Sequence, residues 1–479
     1  MTTIRTHRAT NMKRTIALIL TAAALLFSAC DGPMETAGIQ GSGIPVATDA
    51  VGPITAFGSV FVNGVEYTTA SAQILIDGQP GAETQLQTGQ VVAIKGTVSA
   101  DGTTGSATEV VFSGDVQGPV TQIDLAANTF LALGQSVQIT ASTLLDPSIQ
   151  PADLSGLQTG SVVEVSGFPD ASGTIVASRL DVKSASTTFQ VKGTLQGLDM
   201  TARLFHINGL TVDYGSAMLT GALANGSSVE VGGMTLSSPG VLLATHVEVL
   251  PGLGASANQR ADIDGIITTF ASTADFMILG QHVTTDANTQ FVLHGATLGV
   301  NVEVDVKGEF SASGPLLAQR VETKPRSSSY VRGLVSSITA SSNTLDLLGV
   351  QIVTSTSTGL DDTSNQHVRQ FRLTDVHVGD YVEVDGTEGP AGTLSASVLK
   401  RENMDTRSYM QGVAVNLAQP SLTVLGVTVA TTAQTRFAGP GGAASGATTF
   451  FAQAANRVVK VSGAFSNGVL TAEQVRIEP

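Results

Sequence analysis

One sequence template recurs six times between residues 52 and 479, and it limits the possible folds more than any other feature. Each copy opens with Gly-x-hydrophobic and continues with an apolar strand, a glycine turn and a Val-type strand. A Val-x-Val-type strand ending in Gly and a Leu-x-Ala-x-x-Val strand complete it. The opening glycines are Gly52, Gly118, Gly193, Gly265, Gly333 and Gly412. The turn glycines are Gly64, Gly134, Gly209, Gly280, Gly349 and Gly426. The strand-ending glycines are Gly96, Gly167, Gly233, Gly308, Gly386 and Gly463. Because these landmarks keep one order in every copy, we predict six domains of one fold.

Each landmark predicts a local structure. Asn63-Gly64 and Asn208-Gly209 favour two-residue hairpin turns, because both residue types tolerate a positive φ. The other copies have Leu in place of Asn, which predicts a bulged turn. The run Val382-Glu383-Val384-Asp385-Gly386 alternates apolar and acidic side chains, as on a strand with one buried face.

The predicted fold class is all-β: a tandem array of six small barrel-like domains, each with five to six strands. A closed barrel leaves no exposed strand edge, and a compact sandwich is the alternative. One unit alone buries so little surface that its stability would be marginal, so we expect neighbours to dock into an elongated rod or arc. The predicted domain boundaries are 52–115, 116–186, 187–258, 259–326, 327–405 and 406–479.

The composition argues against two other classes of protein. Hydrophobic residues make up 42 % of the chain, which excludes wholesale disorder. The formal net charge is −15, and an acidic protein repels phosphate backbones, so we expect no nucleic-acid partner.

The N-terminal residues have the pattern of an export signal. Lys13-Arg14 precedes a mostly apolar run at 15–27, which is too short to span a bilayer comfortably. Residues 1–29 are therefore predicted to be a signal peptide. Leu26-Phe27-Ser28-Ala29-Cys30 resembles the lipobox of bacterial lipoproteins, although Phe27 stands where Leu is commonest. The resemblance implies cleavage after Ala29 and lipidation of Cys30, the only cysteine of the chain.

The predicted anchor also sets the expected location. Acyl chains on Cys30 would hold the protein on a bacterial membrane, facing the periplasm or the cell surface. Asp31 resembles an inner-membrane retention signal of enterobacterial lipoproteins, although the choice of membrane stays open. Residues 30–51 are predicted to be a flexible tether between the lipid and the first domain.

The repeat template as a whole resembles a bacterial family of envelope repeats, domain of unknown function 5666. The pieces that carry the resemblance are Gly-x-Val, Leu-Gly-x-x-Val, Val-Glu-Val-x-Gly and Leu-x-Ala-x-x-Val, spread over residues 52–479. The resemblance implies a β-barrel fold and export. It transfers no site residues.

The sequence has no catalytic motif of the kinds that can be recognised by spacing: no Gly-x-Ser-x-Gly, no His-Glu-x-x-His and no phosphate loop. We therefore predict no catalytic residues, no cofactor and no metal ligands. His282 and His294 lie in one repeat and can meet across a hairpin, but surface strand residues are the favoured interpretation.

Repeat 5 has two unusual features. The acids Asp361, Asp362, Asp375, Asp380 and Asp385 gather there, and solvated loop acids are favoured over a calcium site. Its insertion at 355–374 is favoured to be a tolerated surface loop, with binding as the alternative. That insertion contains His367, Arg369 and Arg372.

Three functions remain open at this point. The first is a non-enzymatic, lipid-anchored envelope protein that acts as a scaffold or binds an envelope protein. The second is an array of glycan-binding modules, although the chain has no Trp and only five Tyr for stacking on sugars. The third, a carboxylate-based hydrolase, would need two acids at a defined separation.

Overall fold

The computed structural model describes residues 46–57, 59–125, 127–140, 142–150, 153–183, 188–238, 240–250, 259–293, 296–312, 314–324, 329–366, 368, 371–439 and 444–477. These residues belong to one compact unit.

Strands dominate all six repeats. Repeat 1 contains β1 (Val46–Ala56), β2 (Val60–Val62), β3 (Val65–Thr68), β4 (Gln73–Ile76), β5 (Gln79–Pro80), β6 (Val91–Val98) and β7 (Thr104–Phe112). Repeat 2 contains β8 (Val116–Asp124), β9 (Thr129–Ala132), β10 (Gln135–Gln138), β11 (Leu144–Leu145), β12 (Val162–Pro169) and β13 (Ile175–Lys183). Repeat 3 contains β14 (Phe189–Thr194), β15 (Gln196–Asp199), β16 (Leu204–Ile207), β17 (Leu210–Asp213), β18 (Met218–Thr220), β19 (Ser228–Ser238) and β20 (Val241–Val249).

The second half of the chain repeats this order. Repeat 4 contains β21 (Arg260–Ser272), β22 (Asp275–Ile278), β23 (Gln281–Thr284), β24 (Gln290–Val292), β25 (Glu303–Phe310) and β26 (Leu316–Thr323). Repeat 5 contains β27 (Ser329–Thr339), β28 (Thr344–Leu347), β29 (Val350–Val353), β30 (Gly359–Asp362), β31 (Tyr381–Glu388) and β32 (Leu394–Glu402). Repeat 6 contains β33 (Ser408–Val413), β34 (Val415–Ala418), β35 (Ser421–Val424), β36 (Val427–Ala438), β37 (Ala444–Ser445), α1 (Ala447–Gln453), β38 (Val458–Ser466) and β39 (Val469–Ile477). Short 3₁₀ turns lie at Glu83–Gln85, Leu154–Gly156, Ala340–Ser342, Leu373–Asp375 and Pro390–Gly392.

Five strands form a closed ring in repeats 1, 2, 4 and 5. In repeat 2, β8 pairs with both β9 and β12, β9 pairs with β10, and β13 pairs with β12 and, in parallel, with β10. Repeats 1, 4 and 5 close in the same order. In repeats 3 and 6 the order is the same, but the first strand is divided into two segments, β14 and β15 or β33 and β34, which pair with different neighbours. The predicted all-β array of small barrels is confirmed, and the sandwich alternative is wrong. This strand order, with its one parallel pair, is that of five-stranded Greek-key barrels of the oligonucleotide/oligosaccharide-binding type.

The strand-ending glycine of each repeat marks a β-bulge. In repeat 5 the register with β32 shifts between Asp385 and Gly386. A Cβ on any of the six glycines would lie 2.0–2.4 Å from a carbonyl oxygen of the partner strand. Only glycine allows this approach, which explains why the landmark recurs.

In five of the six repeats, all but repeat 3, the residue before the turn glycine packs against the opening glycine and leaves no room for a Cβ there. Leu133, Leu348 and Leu425 are buried, and their side chains cover Gly118, Gly333 and Gly412. The predicted bulged turns are wrong, since the Leu-Gly pairs form the same two-residue turns as Asn63-Gly64. The four turn leucines, Leu133, Leu279, Leu348 and Leu425, have φ of 46–52°. Burial of the leucine offsets a backbone cost of about 1–2 kcal/mol.

The repeats join in pairs through the first strand. β8 pairs with β14, β27 pairs with β33, and β1 runs parallel to β21. Repeat 2 therefore joins repeat 3, repeat 5 joins repeat 6, and repeat 1 joins repeat 4. The expected docking of sequential neighbours therefore holds for repeats 2 and 3 and for repeats 5 and 6, but a rod of sequential neighbours is wrong for repeat 1. The first half of β1 pairs with β6 of its own barrel on one side, and its other side is open to one further strand, which is β21 of repeat 4.

The hydrophobic cores follow the same pairs. One continuous core spans repeats 2 and 3, and another spans repeats 5 and 6. Repeats 1 and 4 have separate cores. β1 begins at Val46, so residues 46–51 are strand rather than the predicted tether.

Candidate binding cavity

Side chains on the outer faces of the barrels hold repeats 1, 2 and 5 together. Arg179 of repeat 2 donates to the carbonyl oxygen of Thr88 (3.0 Å) and to Gln87 Oε1 (2.8 Å), both in repeat 1. The same guanidinium forms an ion pair with Asp181 at 2.7 Å, and both side chains are buried. Thr88 Oγ1 donates to the carbonyl oxygen of Leu360 in repeat 5 (3.1 Å). Three repeats thus share one polar junction.

A second junction joins repeats 1 and 4. Asn63 Nδ2 donates to Asp262 Oδ1 at 3.0 Å, and Lys307 Nζ contacts Asp262 Oδ2 at 2.9 Å. Lys307 Nζ also donates to the carbonyl oxygen of Asn63 at 3.2 Å. Asn63 therefore forms the hairpin turn of repeat 1 and also hydrogen-bonds to the barrel of repeat 4.

These junctions surround a cavity of about 960 Å³, bordered by repeats 1, 2, 4 and 5. Hydroxyl groups occur on nine of the nineteen residues that repeats 2 and 5 contribute to its lining. They belong to Thr140, Ser142, Ser178, Ser355, Thr356, Ser357, Thr387, Ser395 and Ser397. Such a lining suits a polar ligand better than an apolar one.

Repeat 4 contributes a charged surface, which we call the charged wall. It consists of the outward side chains of β21, β25 and β26, together with the residue that follows β26: Asp262, Asp264, Glu303, Asp305, Lys307, Arg320, Glu322 and Lys324. All of them except Asp262 line the cavity. Although the alternating pattern of β25 marks this face as solvent-facing, Asp264 is fully buried and Asp305 is only 6 % exposed.

Burial shifts the ionisation of the charged wall. Desolvation, followed by repulsion from Asp305, raises the pKa of Asp262 to about 7. Desolvation also raises the pKa of Asp264. For Lys324, desolvation favours the neutral amine, but the carboxylates of Asp264, Asp305 and Glu303 together outweigh it and raise the pKa.

The acids of repeat 5 are mostly structural. Arg401 Nε contacts Asp362 Oδ1 at 3.1 Å, and its Nη1 lies 3.7 Å from Asp380. Lys400 contacts Glu383 at 3.0 Å and Asp385 at 3.5 Å. Asp362 and Asp385 are 6 % and 2 % exposed, so their interpretation as solvated loop acids is wrong.

Sequence reasoning missed an aromatic cluster between repeats 5 and 6. The Arg332 guanidinium lies 5.4 Å from the ring centroid of Tyr381 and 5.1 Å from that of Tyr409. Its Nε lies 2.7 Å from Glu402. Tyr330, on the same strand as Arg332, is stacked with Lys460 at 4.9 Å. The sequence contains a signal for this cluster, because three of the five tyrosines of the chain fall in these two repeats.

The fold is expected to be more stable at pH 5 than at pH 8. Burial and repulsion from Glu383 raise the pKa of both Asp385 and Glu402 to about 7. Burial and repulsion from Asp305 raise the pKa of Asp262 to about 7 as well. Between about pH 4 and 7 the folded protein keeps protons that the unfolded chain releases, so stability falls as the pH rises through this window. One pKa unit is about 1.4 kcal/mol, and we expect a total loss of a few kcal/mol.

Denaturant unfolding at several pH values measures this loss. Asp385→Asn mimics the protonated acid and should flatten the profile. Higher stability at pH 8 than at pH 5 would contradict the prediction.

The remaining sequence-predicted residues fall in different places. His282 Nε2 lies 2.8 Å from Asp275 Oδ1 on an exposed hairpin. Four residues of the predicted insertion, Ser355, Thr356, Ser357 and Gly359, line the cavity. Thr358 and Arg372 line an adjoining cavity of about 320 Å³. Part of this insertion therefore lines a cavity rather than forming only a tolerated surface loop. Cys30, His294, His367 and Arg369 lie outside the described residues.

Two kinds of feature are absent from the described residues. No three or more His, Cys, Asp or Glu side chains converge there as a ready-made metal site. No helix in that part of the chain is long and apolar enough to cross a bilayer.

Comparison with known proteins agrees with the repeat structure. No curated protein matches the chain. A family model described as "Domain of unknown function (DUF5666)" matches six segments, at residues 51–111, 117–181, 184–248, 264–322, 332–400 and 411–476. These segments cover most of the sequence and coincide with the six barrels, so the chain belongs to the DUF5666 domain family.

Proposed function

We propose that this protein is a non-enzymatic, lipid-anchored component of the bacterial cell envelope that binds a polar partner between its repeats. The observation that carries the proposal is the cavity bordered by repeats 1, 2, 4 and 5. Buried side chains such as Arg179 and Asn63 link these repeats to each other. Such links hold a binding surface in one shape, which reduces the entropy lost on binding.

The proposed location follows from the N-terminal pattern. Export by a signal peptide at 1–29 and lipidation of Cys30 would place the barrels in the periplasm or at the cell surface. Asp31 favours the inner membrane. An envelope protein is the partner class that we favour.

A glycan is the alternative partner. It is supported by the hydroxyl-rich lining, whose groups can donate and accept hydrogen bonds to sugar hydroxyls. The barrel topology is also one that is used for oligosaccharide binding. Phe168 is the one aromatic residue that lines the cavity among the described residues, so stacking on sugars would contribute little. Binding to a glycan array would favour this alternative over a protein partner.

Replacement of the anchor residue, Cys30→Ser, should release the protein from the membrane. The variant keeps the signal peptide and the barrels but lacks the thiol that would carry the lipid. Fractionation of cells that express both forms, with labelling by a palmitate analogue, measures the effect. We expect wild-type protein in the membrane fraction and the variant in the soluble fraction, without label. Equal membrane association of the two would contradict lipid anchoring.

Site-specific photocrosslinking tests the binding role. A crosslinking amino acid at Ser357, which is exposed and lines the cavity, should capture a defined envelope protein in living cells. The same group at Ser466, an exposed position in repeat 6, is the matched control. An adduct from Ser357 alone supports the proposal, whereas no adduct, or the same adducts from both positions, would contradict it.

A further inference from the structure

We propose that the charged wall of repeat 4 binds a calcium ion between the carboxylates of Asp264 and Asp305, at the surface of the central cavity. The inference concerns a site within this chain and does not depend on the proposed envelope partner.

The strand register brings three acids into one row. Asp264 on β21 lies directly opposite Asp305 on β25, and Asp305 lies directly opposite Glu322 on β26. Side chains at opposite positions of neighbouring strands have Cβ atoms about 4.5–5.5 Å apart, and like charges there destabilise the sheet. A cation between the first two carboxylates would remove this repulsion.

Two buried oxygen atoms of the row have no hydrogen-bond partner. They are Oδ1 of Asp264 and Oδ1 of Asp305. Asp264 forms an ion pair with Lys324 through its other oxygen, Oδ2. Among the described residues, no ion pair or side-chain hydrogen bond includes Asp305. Lys307 and Lys324 attract the Asp305 carboxylate electrostatically, but they leave its Oδ1 without a hydrogen bond. A buried carboxylate oxygen without a hydrogen bond is costly, so a positive ligand at this point would stabilise the fold.

The charge of the wall favours a divalent ion. Its five acids, Asp262, Asp264, Glu303, Asp305 and Glu322, face three bases, Lys307, Arg320 and Lys324. When all eight groups are ionised, the wall has a net charge of −2, which one divalent cation neutralises. Both of the orphan oxygens are buried, but they belong to residues that line the cavity, so the proposed ion would enter from the cavity side.

Calcium fits this arrangement better than magnesium. Calcium tolerates irregular oxygen coordination completed by water, whereas magnesium requires near-ideal octahedral geometry. Two carboxylates without a third acid make a weak site, in line with the lack of a ready-made metal cluster among the described residues. We expect a dissociation constant on the order of 10⁻⁴–10⁻³ M, the range of extracellular calcium modules.

Calorimetric titration with Ca²⁺ and thermal unfolding with Ca²⁺ or with a chelator test the proposal on the full protein purified in detergent. The variant Asp305→Asn keeps the shape of the side chain and removes its charge. The matched control is Asp275→Asn, the same change at an exposed acid of repeat 4. We expect wild-type protein and the control to bind Ca²⁺ and to unfold at a higher temperature with it.

In the Asp305→Asn variant we expect at least a tenfold loss of affinity and no thermal shift. In the presence of chelator this variant should unfold at or above the wild-type temperature, because a repulsive buried charge has been removed. Absence of Ca²⁺ binding by wild-type protein would overturn the proposal, and so would unchanged binding by Asp305→Asn. A chelator-treated variant less stable than wild type would also count against it, because Asp305 would then have a structural partner other than the ion.

Discussion

Replacing Gly386 by alanine is expected to lower the free energy of unfolding by about 3 kcal/mol or more. The new Cβ would lie 2.1 Å from the carbonyl oxygen of Ser395 on β32. Backbone on both sides of the contact is fixed by the β31–β32 ladder, so neither strand can move aside without losing hydrogen bonds. Because repeats 5 and 6 share one hydrophobic core, the destabilisation should reach both barrels.

Calorimetry and denaturant unfolding measure the effect, with Gly299→Ala as the matched control. Gly299 lies in repeat 4 without a positive φ, and a Cβ added there would have no atom within 4 Å other than those of its own chain neighbours. The control should unfold within about 0.5 kcal/mol of wild type, as surface substitutions usually do. If Gly386→Ala were equally harmless, the bulge would not be the reason for the recurring glycine.

The features that could be predicted from sequence are those that short segments determine. Asn63-Gly64 specifies a turn by itself, because both residues tolerate a positive φ. The alternation in Val382-Glu383-Val384 specifies which side chains enter the barrel. Barrel closure could also be predicted, because a small sheet built from each copy of the pattern would otherwise leave unpaired strand edges.

The pairing of the repeats and the cavity depend on longer-range information. Repeat 1 joins repeat 4 rather than repeat 2, and no turn or alternation encodes that choice. The outward residues of Val304-Asp305-Val306-Lys307 have the pattern of a solvent-facing row, yet they lie in a junction between barrels. Binary patterning distinguishes the barrel interior from its exterior, but it does not tell which exteriors meet. Contacts between barrels are recognised by outward-facing side chains that are nevertheless buried, and this burial can be seen only in the structure.

Arg179 and Arg320 illustrate this point. They occupy the same place in the closing strand, in Ile175-Val-Ala-Ser-Arg179 and in Leu316-Leu-Ala-Gln-Arg320, and each forms an ion pair with an acid two residues later. The Arg179 side chain is 6 % exposed and the Arg320 side chain 34 % exposed. The difference arises from repeat 1, whose Gln87 and Thr88 accept hydrogen bonds from Arg179.

Substitution of Arg179 by alanine should therefore cost about 3–5 kcal/mol of unfolding free energy, because it leaves the buried Asp181 carboxylate without its cation. Arg320→Ala removes the same residue type from the same template position. It should cost about 1 kcal/mol or less, because Glu322 is 30 % exposed and water can replace the guanidinium. Denaturant unfolding of the two variants beside wild type measures both costs.

The double variant Arg179→Ala/Asp181→Ala should recover part of the loss, since it removes the buried carboxylate that Arg179→Ala leaves without a cation. A loss for Arg179→Ala as small as that expected for Arg320→Ala would mean that the junction between repeats 1, 2 and 5 contributes no net stability, and that the hydrophobic cores stabilise the fold without it.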